Sequence, residues 1–187
     1  MDKFHNKYRI QSSRLQGWDY SQNGAYFITI CSHNREHLFG YIEAETMVLS
    51  AFGQIVKREW GKSFGIRLEL FCDVFVIMPN HLHAIVRIEN DNLGFVGVVD
   101  THSRAYLQPQ QNQRTGVAYR RPKSISSFVA GFKSSVTKQI NELRQTPKLP
   151  VWQARFHDHI IRNDHEYQHI YNYIKNNQAN WKNDTFF

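Results

Sequence analysis

Two histidines one residue apart, His81-Leu82-His83, follow the run Val74-Phe75-Val76-Ile77-Met78-Pro79-Asn80 and open the run Ala84-Ile85-Val86. In an extended strand alternate side chains share a face, so the two imidazoles converge on one spot while Leu82 points away. Neutral imidazole is the commonest protein metal ligand, which makes this strand a candidate metal-binding element needing at least one more protein ligand. Buried histidines satisfied by backbone carbonyls or carboxylates give the same pattern, and the pair alone does not decide between the two. Two other histidine chemistries fail on the residues. A histidine-triad hydrolase would continue the alternation where this chain has Ile85, and no histidine here has Thr or Ser two positions later, as a two-histidine phosphoesterase requires.

A second set of reactive groups lies near the C-terminal end. With residues placed about 100° apart on a helix starting near Asn163 or Asp164, Tyr167, Ile170, Tyr171 and Ile174 gather on one stripe expected to face the core. Tyr173 falls off that stripe. Asn177, one turn later, lies at its edge on the side of Tyr173, so a phenol and an amide can project toward one site.

The elements that must position these groups are legible in outline. Gly24 to Ser32 reads as a strand rich in aromatic and β-branched residues. A weaker strand pair is expected at Phe39–Ile42 and Thr46–Leu49. Phe52, Ile55, Val56 and Trp60 are at helical spacing in an amphipathic helix from Ser50 to Ser63, with Ser50 as N-cap. Arg67 to Ile77 and Leu82 to Ile88 read as two strands around a turn at Pro79-Asn80, which places the histidines where the second strand begins. Ile125, Phe128, Val129, Phe132, Val136, Ile140 and Leu143 mark a long helix opened by Ser124, and Trp152 to Ile161 has some strand character. The last helix runs to about Ala179. Between Glu89 and Lys123 the periodicity dissolves, and a loop there ends in the basic cluster Arg120-Arg121-Pro122-Lys123.

With 187 residues, 41% of them hydrophobic, the chain fits one domain spanning 1–187 and can bury a core without staples. Its two cysteines have no C-x-x-C spacing and suggest a reducing compartment. Neither a signal-peptide core nor a stretch of membrane-spanning length is seen, so a cytoplasmic protein without a membrane partner is expected. Lys plus Arg number 23 against 16 Asp plus Glu, a net +7, which favours a polyanionic partner, nucleic acid first.

Several stretches together resemble a REP-associated tyrosine transposase, of the single-tyrosine HUH (histidine, hydrophobe, histidine) transposases. They are Tyr26-Phe27-Ile28-Thr29-Ile30-Cys31; Met78 through Val86; Gly131-Phe132-Lys133-Ser134; Val151 through Asn163; and Tyr173-Ile174-Lys175-Asn176-Asn177. The resemblance covers nearly the whole chain in order. It implies an α+β fold, an antiparallel sheet with helices on one side, ferredoxin-like or RNA-recognition-motif-like, with the HUH motif on a sheet strand. It matches His81 and His83 to the metal-binding pair, Tyr173 to the nucleophile and Asn177 to the polar residue that completes the metal site. The expected cofactor is a divalent cation, Mg²⁺ or Mn²⁺, and the expected substrate single-stranded DNA with hairpin structure, cleaved and rejoined through a 5′-phosphotyrosine. Relatives include dimers and monomers, so a homodimer is one of two arrangements the resemblance allows. Asn177-Gln178 departs from the Asn-Pro usual in relatives.

Within that framework Arg120, Arg121, Lys123, Lys133 and Lys138 are the expected DNA contacts, since cationic side chains follow phosphates and aromatics stack on unpaired bases. His157-Asp158-His159 is a second H-x-H, in which His159 is read as a structural or DNA-proximal side chain rather than as a second metal site. Two alternatives stay open on the residues: a non-cleaving single-stranded nucleic-acid binder derived from such an enzyme, and a metal-dependent phosphoesterase that uses water and would tolerate loss of Tyr173.

Overall fold

The Pro79-Asn80 turn folds the chain back on itself: Met78 N–H donates to the His81 carbonyl at 2.8 Å, and the flanking apolar runs pair as an antiparallel hairpin. The computed structural model describes residues 3–4, 7–8, 17–90 and 121–184. In chain order the elements are β1 (Lys3–Phe4), β2 (Lys7–Tyr8), β3 (Gly24–Cys31), β4 (Gly40–Glu43), β5 (Thr46–Leu49), α1 (Ala51–Ile66), β6 (Leu70–Ile77), β7 (His81–Ile88), α2 (Ile125–Leu143), β8 (His157–Ile161) and α3 (Asp164–Asn176). Most of the stretch between Glu89 and Lys123, including Arg120, lies outside the described residues, as does nearly all of the N-terminal segment.

The main sheet has four antiparallel strands in the order β6-β7-β3-β8. Taken with α1 and α2, the succession β3-α1-β6-β7-α2-β8 is the βαββαβ arrangement of a ferredoxin-like fold, with the β4–β5 ribbon inserted before α1 and α3 appended. The histidine strand β7 is internal, and every residue in it but Arg87 is buried.

Strand alternation sorts the core into two layers. Leu82, Ala84, Val86 and Ile88 join Tyr26, Ile28 and Ile30 in a cluster filled from α1 and α2 by Val56, Trp60, Phe128, Phe132 and Val136. On the reverse face Val74, Val76 and Ile85 pack with Ile174 of α3 and with Trp181. The helices therefore do not share one side, as the resemblance suggests. The first two cover one face and α3 the other, because Ile174 and its stripe need an apolar surface of their own and find it on the odd-numbered positions of β7, the face that carries the histidines.

Both long helices of the first layer begin with side-chain caps. Ser50 Oγ accepts from Gly53 N–H at 3.1 Å, and Ser124 and Ser127 cap each other reciprocally at 3.2 Å. Gly53 sits where the start of α1 meets the chain at Phe39, and a Cβ there would fall 2.1 Å from the Phe39 carbonyl oxygen. Gly53→Ala is therefore expected to lower stability by about 2 kcal/mol or more, since the clash is with backbone and cannot be relieved by a rotamer. A urea unfolding curve reads this as a lowered midpoint. Among the described residues no helix is long and apolar enough to cross a membrane, and both cysteines are free thiols.

Candidate metal and tyrosine site

His81 and His83 are 0% and 1% exposed, on the β7 face toward α3, with ring centroids 4.5 Å apart. Each ring is oriented from behind. His81 Nδ1 lies 2.8 Å from the Asn80 side-chain oxygen, which only accepts, so Nδ1 carries the proton and Nε2 keeps its lone pair. His83 Nδ1 lies 2.7 Å from Thr29 Oγ1, on the residue directly opposite in β3, and its Nε2 lies 3.1 Å from the Tyr173 hydroxyl. Burial, reinforced by the Arg35 cation, pushes the His81 imidazole down to about 3. Burial also takes His83 well below its ordinary value, with neighbouring His81 adding to the effect. Both rings are neutral at physiological pH and offer nitrogen lone pairs without first losing a proton.

Helix α3 brings the phenol. Asn163 caps it through Glu166 N–H at 2.9 Å, Ile174 anchors it in the core, and Tyr173 projects beside the anchor. Tyr173 is 41% exposed, while its hydroxyl lies 3.1 Å from the buried His83 Nε2. Phe27 forms the floor, stacked on His83 at 5.3 Å and edge-on to Tyr173 at 6.3 Å. Desolvation and then the Asp184 charge push the phenol up to about 12, against a lowering by the Asn177 hydrogen bond.

Beyond α3 the chain turns through Trp181–Asn183, and the buried Trp181 indole lies 6.0 Å from the His81 ring. This turn delivers Asp184, whose Oδ2 accepts from Asn177 Nδ2 at 2.8 Å and from the Tyr173 hydroxyl at 3.4 Å. Potential ligand atoms of His81, His83 and Asp184 lie within 4.8 Å of one another, and this group could hold a metal ion. Asn177 is 2% exposed, and its Oδ1 has no hydrogen-bond partner among the described residues. A buried amide oxygen left without a donor is costly unless a cation answers it, so the donor set fits a metal of mixed nitrogen and oxygen preference.

The structure thus gathers His81, His83, Tyr173 and Asn177, three elements apart in sequence, into one cluster. Of the five expected DNA contacts, the four that lie among the described residues have their partners or their exposed positions elsewhere. Arg121 pairs with Asp19, and Lys138 lies 3.9 Å from Glu142 on exposed α2. The Lys133 ammonium is directed at the carbonyls of Gln153, Ala154 and Arg155, where it clamps the approach to β8. Lys123 is exposed at the entry to α2, and Arg120 lies outside the described residues. Sequence reasoning missed Asp184, a single acid after a polar stretch with no spacing to mark it, and Thr29, whose opposition to His83 depends on register.

No protein-family model matches the chain. An uncharacterised protein of Haemophilus influenzae is 36% identical to it over 177 residues, covering 95% of this chain and 92% of the other. Among solved structures, one of a REP-associated tyrosine transposase bound to a REP hairpin superposes with a TM-score of 0.54 at 18% identity, over 91% of this chain and 74% of that one.

Proposed function

The chain belongs to the family of the Haemophilus influenzae protein and has the fold of a REP-associated tyrosine transposase, and on that footing we propose that it cleaves and rejoins single-stranded hairpin DNA through Tyr173. The observation that carries this reading is the Tyr173 hydroxyl 3.1 Å from His83 Nε2, in a cluster that also holds His81, Asn177 and Asp184. A histidine pair serving only to pack a core has no need of a phenol and two further polar side chains on the same spot.

In the proposed reaction Tyr173 Oη attacks the phosphorus of a DNA phosphodiester. The tyrosyl O–P bond forms, the P–O3′ bond breaks, and the strand is left as a 5′-phosphotyrosine and a free 3′-hydroxyl. Because one ester replaces another, rejoining is the reverse step and needs no nucleotide cofactor. The phenolic proton has Asp184 Oδ2 within reach at 3.4 Å, the single lone pair of His83 Nε2 being the one that a metal ion would take. His81, His83, Asp184 and the Asn177 amide oxygen are the groups that would hold a divalent cation, Mn²⁺ suiting two imidazoles better than Mg²⁺. Such an ion supplies Lewis-acid polarisation of the scissile phosphodiester. Asn80 and Thr29 keep the imidazoles in register for that role, as partners behind metal-binding histidines do.

The test is incubation with labelled single-stranded hairpin DNA from sequence flanking the gene, with Mn²⁺, with Mg²⁺ or with chelator, resolved on a denaturing gel. A metal-dependent protein–DNA adduct is the expected result. Cleavage without an adduct would make water the nucleophile, and binding with neither would make the protein a non-cleaving binder; both contradict the proposal.

A further inference from the structure

The second histidine pair, His157-Asp158-His159 on β8, is divided by the strand. Asp158 faces the helical layer and is buried. His159 Nε2 lies 2.7 Å from Glu166 Oε1, while Glu166 Oε2 accepts from Arg162 N–H at 2.8 Å, which fastens β8 to the first turn of α3. His157 differs from both: it is exposed, and the contact the structure shows for its ring among the described residues is the edge of Phe27.

Register places this exposed imidazole. Thr29 is opposite His83 on one side and opposite His157 on the other, so His83, Thr29 and His157 form one row across the tyrosine face of the sheet. The Phe27 ring lies edge-on to His157 at 6.3 Å and to Tyr173 at 6.3 Å, and is stacked on His83. Two interstrand steps separate His157 from His83, roughly 9.5 Å. In the other direction the row continues to Val76, which is 7% exposed and packed with Ile174 under α3. On this row His157, exposed on the edge strand β8, is the group beside Thr29 that a strand held at the Tyr173 hydroxyl would meet in passing toward β8.

We propose that His157 is a substrate-contacting residue that donates a hydrogen bond to the phosphodiester next to the scissile one. The inference rests on the tyrosine-transesterase reading for the position of the scissile phosphate. It gives the H-x-H on β8 a division of labour, His159 holding α3 in place and His157 holding the departing strand.

The experiment is equilibrium binding of the full chain, without divalent cation, to the single-stranded hairpin oligonucleotide carrying one neutral methylphosphonate linkage stepped through the cleavage region. Wild-type protein is expected to lose about tenfold in affinity at one linkage beside the cleaved one, the size of a single charge-assisted contact. His157→Ala is expected to lose the same tenfold on the all-phosphate strand and nothing more at that linkage, with His157→Gln between the two. As an exposed residue its replacement should leave the thermal midpoint unchanged, which a melting curve checks. Wild-type affinity in His157→Ala, a loss that does not map to a single linkage, or full affinity in His157→Phe through base stacking would each overturn the contact. Adduct formation is assayed in parallel. Cleavage without a wild-type adduct, with the contact still mapping beside the cleaved linkage, would sink the tyrosine nucleophile alone, whereas an adduct without the contact would sink this inference alone.

Discussion

Tyr173→Phe is expected to lower strand cleavage roughly 10³-fold or more, the scale seen when a covalent nucleophile is removed, while hairpin affinity stays within a few-fold of wild type. The substitution deletes one oxygen. The ring keeps its edge-on contact with Phe27, and Ile174 still anchors α3, so neither fold nor binding surface should change. What disappears is the atom 3.1 Å from His83 Nε2. A phenol pushed up to about 12 is almost wholly protonated at pH 7. Cleavage should therefore rise with pH through the neutral range and above, as the attacking phenolate becomes more populated, until another group limits the rate. Single-turnover cleavage across a pH series, with a filter-binding titration beside it, reads all of this. A Tyr173→Phe protein that cleaves at the wild-type rate would place the nucleophile elsewhere.

His83→Ala is expected to cost on the order of a hundredfold or more in cleavage, since it would remove a proposed metal ligand where loss of an outer partner alone typically costs 10–100-fold. Chelation of the wild-type protein should have the same effect, and adding metal back should restore the wild type and not the variant. The variant also opens a space beneath Tyr173 and leaves Thr29 Oγ1 without the ring it faces at 2.7 Å, so some loss of stability is built into it. His83→Gln is the control for that, since it keeps a polar side chain of similar reach. Calorimetric titration of Mn²⁺ separates the effects: the wild type should bind one ion, and a folded His83→Gln should bind it far more weakly. Equal Mn²⁺ affinity in the two proteins would remove the metal centre from the account.

How far the residues alone lead can be judged element by element. The convergence of His81 and His83 is legible because a strand has period two and nothing tertiary can change which neighbours share a face. The α2 stripe is legible for the corresponding helical reason: Ile125, Phe128, Val129, Phe132, Val136 and Ile140 are all buried in the structure, while Leu143, expected to continue it, is exposed at the helix end. The side of the sheet that α3 takes is not legible in this way. Periodicity tells that Ile174 must be covered but not by which surface, and both faces of β7 are apolar enough to serve. Asp184 is hidden for a different reason, since its arrival at the site depends on the Trp181–Asn183 turn and on Trp181 docking over His81. Lys133, expected from the sequence as a DNA contact, has three backbone carbonyls of the stretch before β8 converging on its ammonium, a clustering of backbone that leaves no mark in composition.

The most direct measurement is mass spectrometry of the covalent product. Wild-type protein is incubated with single-stranded hairpin DNA and Mn²⁺, the DNA is trimmed with nuclease, and the protein is digested and sequenced for a residual nucleotide. A nucleotide 5′-phosphate on Tyr173 is the predicted result. A nucleotide on Tyr167 or Tyr171, or cleaved DNA with every tyrosine unmodified, would contradict the assignment of Tyr173 as the nucleophile that His81, His83, Asn177 and Asp184 surround.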